Sequence, residues 1–480
     1  MTIPITGILL IPLGLLIAFL PWQYCLIGLA TFSMLSAAAV VNVGSFGLQP
    51  GYYLALLLIA RIAVEIAVTG FILNAAVLAR LRPLFLFLIV VFAVLFVALA
   101  FFQGRVETLP GSLGFKSTAT RPFYLGRENI TQIAYLFINL VLLYGMAHEG
   151  ARRGIEAISK SWDLALLCGL GFAAFVCLWQ FASFYAGVPF PGDFFYSNAG
   201  YSRSDGQTMA GLFRINGPFE EPSTLGYMFT GYLLFAWRRY RLYPTALSAA
   251  MIAVCIFCML VSTSTTAFFG LFLCGCMGLL DVATGRIHLA TRTLSGGQVV
   301  AIVLGIIGIV GGSILFAANW QAIYAILQNV VFNKSESTSF QQRSFADFLA
   351  MRIFVETYGL GIGLGSHKAN SLMLTLLSGT GFVGLFLFTS FLYTLLRPAS
   401  AALGSVWRGR LPPFQWGLAG LVLIHVFSNP NLSTLELWIQ MGGVLSLQVA
   451  LRRSGVARDA SGAPYMLRAA PGLALPYRQA

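Results

Sequence analysis

Basic and polar side chains gather in one stretch of an otherwise apolar chain, residues 341–371. Arg343 and Arg352 each lie four residues before a carboxylate, which is the spacing of neighbours on a helix. Guanidinium groups bind anions, and an imidazole can accept a proton. The sequence therefore predicts an anion-binding or acid–base site in this stretch, completed by the side chains His367, Lys368, Asn370 and Ser371.

Two structural interpretations compete for this stretch. Phe345, Phe348 and Leu349 could form the apolar face of a helix that lies on the membrane surface, with the arginines only solvated. Arg343 and Arg352 are about two and a half turns apart, so only one of them can face a common ligand on a straight helix. His367 is equally consistent with a structural and a catalytic role.

A glycine-rich turn follows, with Gly at positions 359, 361, 363 and 365. It is not a dinucleotide fingerprint, because no strand precedes it and the spacing differs. We expect a flexible turn with exposed backbone N–H groups, and a helix that begins near Ala369. An anion could rest at that helix start beside Lys368.

A second candidate segment reads RINGPFEEPSTLGYM and contains Arg214, Glu220 and Glu221. Pro222 and Ser223 favour a helix start, where two carboxylates are ordinary. The alternative is a catalytic role, in which a carboxylate orients a sugar hydroxyl or takes its proton.

The elements that hold these residues must cross a membrane. The chain has 480 residues, of which 58% are hydrophobic and only 9% charged. So much apolar surface cannot be buried in a water-soluble fold, and long unalternating apolar runs favour helices over a barrel. The composition predicts an all-α, polytopic membrane protein.

Thirteen apolar segments reach a length that can span, and twelve is the alternative count because only Pro21 separates the first two. They cover residues 3–20, 22–43, 52–79, 81–102, 129–147, 162–186, 223–237, 244–261, 264–283, 298–318, 369–396, 413–428 and 434–451. Arg and Lys recur in every second connection, which predicts that these connections are cytoplasmic.

The long connections, residues 103–128, 187–222 and 319–368, are then external, the last one between the tenth and eleventh spans. We expect a single transmembrane domain over residues 1–452 and a disordered cytoplasmic tail over 453–480. The first span lacks a basic leader and a small-residue cleavage site, so a removable signal peptide is not expected.

The net charge of +13 fits positive-inside topology and anionic headgroups better than nucleic acid. All seven cysteines fall in apolar stretches, which predicts buried side chains and not metal ligands.

Arg61 and Glu65 within one span predict a structural clasp or a ligand path. Ser262–Thr266 forms a polar external turn that could line the same site, with Ser264 as a substrate-binding candidate.

In order, the motifs are Arg-x-x-Gly-x-Phe-x-x-Pro (Arg214 to Pro222), the Ser/Thr turn, a large late loop, Gly-x-Gly, and Ser-His-x-x-Asn with a following Gly-x-x-Gly (Gly381, Gly384). This order resembles the superfamily of O-antigen ligases and Wzy-type polysaccharide polymerases, over roughly residues 50–450. The Ser/Thr turn departs from the family pattern, since it lacks an arginine. GLGSHKANS fits the exopolysaccharide polymerases at least as well as the ligases.

The resemblance implies a metal-independent membrane glycosyltransferase of the GT-C type without cofactors. It would join undecaprenyl-pyrophosphate-linked repeat units into exopolysaccharide or O-antigen on the periplasmic face of a bacterial inner membrane. Implied partners are membrane lipids, a chain-length regulator and a flippase of the same pathway. The implied pyrophosphate ligands are Arg214, Arg343, Arg352 and Lys368, the implied bases are His367, Glu220 or Glu221, and the substrate contacts are Asn370, Ser371 and Ser264.

Alternatives stay open within and outside this class. A ligase would transfer the glycan to a lipid A core, and the peptidoglycan polymerases of the shape and division family share the architecture. A flippase or secondary transporter would show paired repeats and broken spans in both halves. Neither is evident in the sequence, and the large late loop has no counterpart in the first half.

Overall fold

Helices make up nearly all of the regular structure. The structure is a computed structural model, and it describes residues 1–69, 75–109, 119–201, 206–209, 212–284, 338–397, 411–428 and 431–456. Within these ranges, six helices are long and apolar enough to cross a membrane, which agrees with an all-α membrane protein. The predicted span at 298–318 and most of the predicted tail lie outside the described residues.

The first half of the chain supplies six helices that follow one another closely. They are α1 (Ile5–Phe19), α2 (Trp22–Ser33), α3 (Pro50–Thr69), α4 (Ala75–Phe101), α5 (Arg127–Arg152) and α6 (Ile155–Ala186). Of these, α3 to α6 meet the length and hydropathy of a span, whereas α1 is a shorter apolar helix.

The second half adds a short helical turn and seven longer helices. They are α7 (Gly192–Phe195), α8 (Pro222–Leu242), α9 (Ala246–Val261), α10 (Thr265–Thr284), α11 (Thr338–Glu356), α12 (Leu372–Leu396), α13 (Pro412–Ser428) and α14 (Leu435–Val456). Of these, α10 and α12 meet the criteria of a span. The last helix runs past the predicted boundary at 452.

Three small antiparallel hairpins interrupt the helices. They pair β1 (Val41–Val43) with β2 (Phe46–Leu48), β3 (Glu107–Thr108) with β4 (Arg121–Pro122), and β5 (Thr208–Met209) with β6 (Leu212–Phe213). The first hairpin corrects a prediction, because the segment 22–43 is helical only to Ser33 and then turns into β1. Its apolar composition resembles a span because Leu35 and residues 37–40 are buried in the protein.

Helix α8 lies at the centre of the packing. It contacts α9, α10 and α13, while α14 packs against α5, α2 against α6, and α12 against α4. Large side chains fill the space between these helices, and Trp162, Tyr232, Phe235 and Trp438 are at most 1% exposed. The bundle therefore has one continuous core, against which the loops at its ends are fixed.

Ion pairs mark one end of the bundle. Arg239 on α8 contacts Asp163 on α6 at 2.9 Å, and Arg238 and Arg241 contact Asp281 on α10. The start of α6 and the ends of α8 and α10 thus meet, so the opposite ends of these helices face the other way. That opposite end carries the loops with the candidate site residues.

Arg61 and Glu65 on α3 form an ion pair at 2.9 Å. The Arg61 guanidinium also donates to the backbone oxygens of Ala18 and Leu20, where α1 turns into α2. This geometry matches the predicted structural clasp.

Candidate functional site

The loop that carries Arg214 is fixed by a buried amide network. The Gln180 side chain on α6 accepts from the backbone N–H groups of Asn216 and Gly217 at 3.0 and 2.7 Å, and donates to the Asn216 side chain at 2.8 Å. The Tyr196 hydroxyl donates to the Gly217 oxygen at 2.7 Å. These contacts hold the chain between β6 and α8 in one conformation.

The spacing of the Arg-x-x-Gly-x-Phe-x-x-Pro motif has a physical explanation. Gly217 has a φ of +60°, and a Cβ there would lie 2.4 Å from the Cys177 sulfur, so only glycine fits. Phe219 is fully buried, and Pro222 opens α8 at a position where its missing N–H costs nothing. Arg214 therefore leaves a rigid loop at a defined place.

Arg214 itself is half-buried and lacks an ionic partner. Among the described residues no carboxylate lies within 4 Å of it, its Nε makes no hydrogen bond, and its Nη1 donates only to Gln207 at 3.4 Å. By contrast, Arg61, Arg239 and Arg352 have carboxylate partners at 2.7–2.9 Å. A half-buried guanidinium without a hydrogen-bonded carboxylate is costly, which is the arrangement expected of an anion site.

Helix α11 lies within the connection 319–368, which the sequence predicts to be external. One face of this helix, Ala346, Leu349 and Ile353, is buried in a small second core with Leu95 and Phe123. Phe348 is 65% exposed, so the apolar face predicted from Phe345, Phe348 and Leu349 is divided between the protein and the surroundings. The helix therefore packs on the bundle and does not merely lie on the membrane surface.

The glycine-rich turn is rigid and packed. All four glycines have φ between +81° and +93°, and a Cβ on Gly361 or Gly365 would lie 2.8 or 2.5 Å from a backbone oxygen of a neighbouring helix. The N–H groups of Gly361 and Ile362 donate to Thr357 and Ser378. The predicted exposure of backbone N–H groups is wrong at these two positions, because the Gly361 N–H bonds to Thr357 just after α11 and the Ile362 N–H bonds to Ser378 on α12.

A carboxylate already sits where an anion was predicted to rest. Helix α12 begins at Leu372, and its cap is Ser371, whose side chain accepts from the N–H of Leu374 at 3.1 Å. Asp347 on α11 accepts from the backbone N–H of Asn370 at 2.7 Å, just before this helix start. Burial raises the pKa of Asp347, while these hydrogen bonds and then Arg343 oppose the rise. Ser371 and the backbone N–H of Asn370 therefore stabilise the fold through these hydrogen bonds. The side-chain amide of Asn370 donates to the Phe427 backbone oxygen at 3.1 Å.

His367 lies between two backbone groups. Its Nδ1 accepts from the Leu109 N–H at 3.2 Å, so its Nε2 carries the proton and donates to the Ala346 oxygen at 2.9 Å. The ring is 4% exposed, and burial lowers its pKa from 6.5 to about 4. With both nitrogens occupied, the ring ties residue 109 to α11 and has no lone pair left for an acceptor hydroxyl.

Arg343 lies within electrostatic reach of two other basic side chains, Arg214 and Lys368. We call Arg214, Arg343 and Lys368 the basic cluster. Burial lowers the pKa of Arg214, Glu221 opposes this, and Arg343 lowers it further. Burial likewise lowers the pKa of Lys368, with Glu221 and Glu220 opposing and Arg343 adding to the effect. The structure thus brings together residues that are far apart in sequence.

Arg352 lies outside the basic cluster. It is exposed, and its Nε donates to Glu356 at 2.7 Å, one turn further along α11. This outcome follows from the helix geometry, since residues nine apart face different sides. Arg343 is therefore the arginine of α11 that belongs to the candidate site.

The Ser/Thr turn lies beside the Arg214 loop. The N–H of Ile215 donates to the Val261 oxygen at 3.3 Å, at the end of α9. Thr263 has a φ of +46°, a strained conformation for a β-branched residue, and Ser264 is only 2% exposed. The turn supports the loop from behind, and the buried position of Ser264 does not favour direct substrate contact.

A polar cavity adjoins the basic cluster at Glu220. It has a volume of about 50 Å³ and is lined by Glu220, Ser33, Ser36, Gln49, Tyr201, Tyr227, Asn431, Ser433 and Thr434, with Gly51, Met228 and Leu435. Glu220 accepts from the Ser36 hydroxyl at 2.6 Å, and burial raises its pKa, an effect that the Ser36 hydrogen bond opposes. Glu221 is exposed and accepts from Ser223.

Sequence reasoning missed the cavity apart from Glu220. Its walls come from segments about 400 positions apart, and each contributes only one to three polar residues. A weak signal exists in Ser33 and Ser36, which are polar residues one turn apart in an apolar segment. Behind the cavity, the buried Glu436 accepts from Ser33 and from Tyr232, both at 2.9 Å.

Metal ligands do not assemble in the part of the chain that the structure describes: no group of three His, Cys, Asp or Glu side chains lies there. The seven cysteines are free thiols, each buried or half-buried.

Comparison with known proteins returned no matching family model, no matching curated protein and no matching solved structure.

Proposed function

We propose that the protein is a membrane glycosyltransferase that polymerises oligosaccharide repeat units carried on undecaprenyl pyrophosphate. The observation that carries the proposal is the half-buried Arg214, which has no carboxylate within 4 Å among the described residues and lies within electrostatic reach of Arg343, as Lys368 does. This cluster lies at the end of a membrane bundle, where a lipid-linked pyrophosphate would enter from the bilayer.

The basic cluster suits the leaving group. In the proposed step, a hydroxyl oxygen of the acceptor sugar attacks the anomeric carbon of the donor glycan. The bond from that carbon to the phosphate oxygen breaks, and undecaprenyl pyrophosphate leaves with the electron pair. Negative charge therefore grows on the pyrophosphate, which the fixed cationic groups stabilise more strongly in the transition state than in the ground state.

Glu220 is the best placed acceptor of the hydroxyl proton. It lies between the basic cluster and the polar cavity, and burial raises its pKa, which makes it a stronger base than an exposed glutamate. The other candidates are less suitable, since both nitrogens of His367 are hydrogen-bonded and Glu221 is exposed to solvent. A pyrophosphate leaves without protonation, so the step needs no second acid.

The test uses purified protein in nanodiscs with the host's lipid-linked repeat unit, and product length is measured on a gel. We expect a ladder of lengthening lipid-linked glycan in the wild type. Arg214→Ala should slow it by about 10²–10³-fold, the cost typical of removing one group that stabilises a developing oxyanion. Arg352→Ala is the matched control and should leave the ladder intact, because this arginine is exposed and paired with Glu356.

The outcomes separate the alternatives. Repeat units transferred once to a lipid A core, without a ladder, would identify a ligase. If the protein is placed in vesicles instead of nanodiscs, repeat units that cross the membrane without being joined would identify a flippase. Equal rates for Arg214→Ala and wild type at equal protein levels would reject the role of the basic cluster.

A further inference from the structure

We propose that the polar cavity beside Glu220 binds the terminal sugar of the acceptor glycan, so that donor and acceptor occupy separate, adjoining sites. This inference rests on the proposed function and adds to it the place of the acceptor. The sequence motifs pointed to Glu220 but not to the cavity, whose evidence is the set of side chains that line it.

The lining excludes an anionic ligand. Among the described residues that form the cavity there is no Lys, Arg or His, while Glu220 contributes a carboxylate. A pyrophosphate or phosphate would be repelled here, whereas the basic cluster next to it would attract one. The two sites therefore differ in charge, which keeps the lipid pyrophosphate out of the cavity and directs a neutral ligand into it.

The lining instead suits a polyhydroxylated ligand. It combines a carboxylate, an amide (Gln49), serine hydroxyls and two tyrosines, Tyr201 and Tyr227. Sugar hydroxyls both donate and accept hydrogen bonds, and a carboxylate that accepts from a ligand hydroxyl makes a strong, charge-assisted bond. The apolar face of a sugar ring can pack on a tyrosine ring, which has an apolar body and a polar tip.

The existing hydrogen bonds hold the cavity open in a fixed shape. The Gln49 amide donates to the Ser36 oxygen at 2.8 Å and to the Tyr201 hydroxyl at 3.2 Å, and the Ser36 hydroxyl donates to Glu220 at 2.6 Å. Ser33 is tied to the buried Glu436. A ligand entering here meets groups that are already oriented, so little ordering entropy is lost on binding.

The size of the cavity limits what it can hold. A volume of about 50 Å³ accommodates roughly three or four water molecules, since one water needs about 10–15 Å³ of this kind of volume. One edge of a single sugar ring fits, but an oligosaccharide does not. Tyr201 is 45% exposed, so the rest of the glycan can extend outward past this residue.

The experiment measures binding without turnover. The probe is a lipid-free, phosphate-free fragment of the host's own extracellular polysaccharide, titrated onto the full-length protein in nanodiscs by saturation-transfer NMR. Undecaprenyl pyrophosphate is titrated separately. We expect Glu220→Gln to weaken fragment binding by about ten-fold, which corresponds to losing the charge on one hydrogen bond. Tyr227→Phe should weaken it by about three- to ten-fold.

Two further variants make the result specific. Arg214→Ala should weaken binding of undecaprenyl pyrophosphate and leave the fragment affinity unchanged. Glu156→Gln removes an exposed carboxylate that pairs with Lys160 at 3.2 Å and should change neither. Gel filtration and the melting temperature confirm that each variant is folded.

Failure of this inference differs from failure of the proposed function. If the wild type binds no fragment, or if Glu220→Gln and Tyr227→Phe bind it as tightly as the wild type, the cavity is not the acceptor site, whether or not the ladder forms. If the fragment binds in the cavity but the wild type joins no repeat units, the glycosyltransferase proposal is wrong, and the acceptor role fails with it.

Discussion

Replacement of His367 distinguishes a structural histidine from a catalytic base. The ring accepts from the Leu109 N–H and donates to the Ala346 oxygen, and it is 4% exposed. His367→Ala leaves the buried Leu109 N–H without a partner, at a cost of about 1–3 kcal/mol, and also removes the hydrogen bond to the Ala346 oxygen. We therefore expect a loss of about 2–5 kcal/mol in the free energy of unfolding and a loss of transfer that follows the loss of folded protein.

His367→Gln provides the rescue. Glutamine offers an oxygen to the Leu109 N–H and an N–H to the Ala346 oxygen, but it cannot act as a base. We expect this variant to regain much of the stability and most of the transfer. His148→Gln serves as the matched control, because His148 is one turn from the C-terminal end of α5, away from the end of the bundle that carries the site.

The pH dependence gives a second measure. Burial lowers the pKa of His367 from 6.5 to about 4, so the folded protein keeps the ring neutral where the unfolded chain protonates it. Its contribution to stability is full above pH 6.5 and is lost as the pH falls toward 4, by about 3 kcal/mol. Thermal unfolding in nanodiscs between pH 4 and 8 should show this loss in the wild type and not in His367→Gln. A glutamine variant as stable as wild type that nevertheless transfers no sugar would refute the structural role.

Three further predictions concern the site and its supports. Burial raises the pKa of Glu220 above its ordinary 4.5, so its ionisation destabilises the fold as the pH rises past that value; Glu220→Gln should melt higher than wild type at pH 8, equally at pH 4, and lose transfer. Gly365→Ala should cost more than about 2 kcal/mol, because its φ is +87° and its Cβ would lie 2.5 Å from the Glu128 oxygen, while Gly154→Ala, with open space around it, should melt like wild type. Gln180→Leu should lower both melting temperature and donor affinity, since it removes the amide that fixes the Arg214 loop, and unchanged affinity would contradict that link.

The helices were largely predictable because a long apolar run indicates a helix that is shielded from water. Hydropathy located α3 to α6, α10 and α12, and Pro222 and Ser223 marked the start of α8. The hairpin after Ser33 was not predictable, because burial against protein and burial in lipid select the same side chains. Contacts between distant positions were equally hidden, such as that between His367 and Leu109.

The candidate site shows the same division. The sequence predicted an anion site from residue types alone, and only the fold decides that Arg343 lies near Arg214 and that Arg352 pairs with Glu356. The four alternating glycines suggested a flexible turn with exposed backbone. In the structure, Gly361 and Gly365 also allow close packing, because a Cβ at either position would clash with a neighbouring backbone oxygen. The cavity required tertiary structure, because its walls are formed by a few residues from each of five separate segments.

The polar cavity also bears on how the protein is made. One wall comes from Ser33 and Ser36 near the beginning of the chain, and another from Ser433 and Thr434 near its end. A chain still emerging from the ribosome can place Arg214 and Glu220 in the membrane long before α14 exists, but it has no complete acceptor pocket. Under the proposed function, we therefore expect sugar transfer to require the complete chain, so that a truncated product that inserts normally would bind the lipid-linked donor without consuming it.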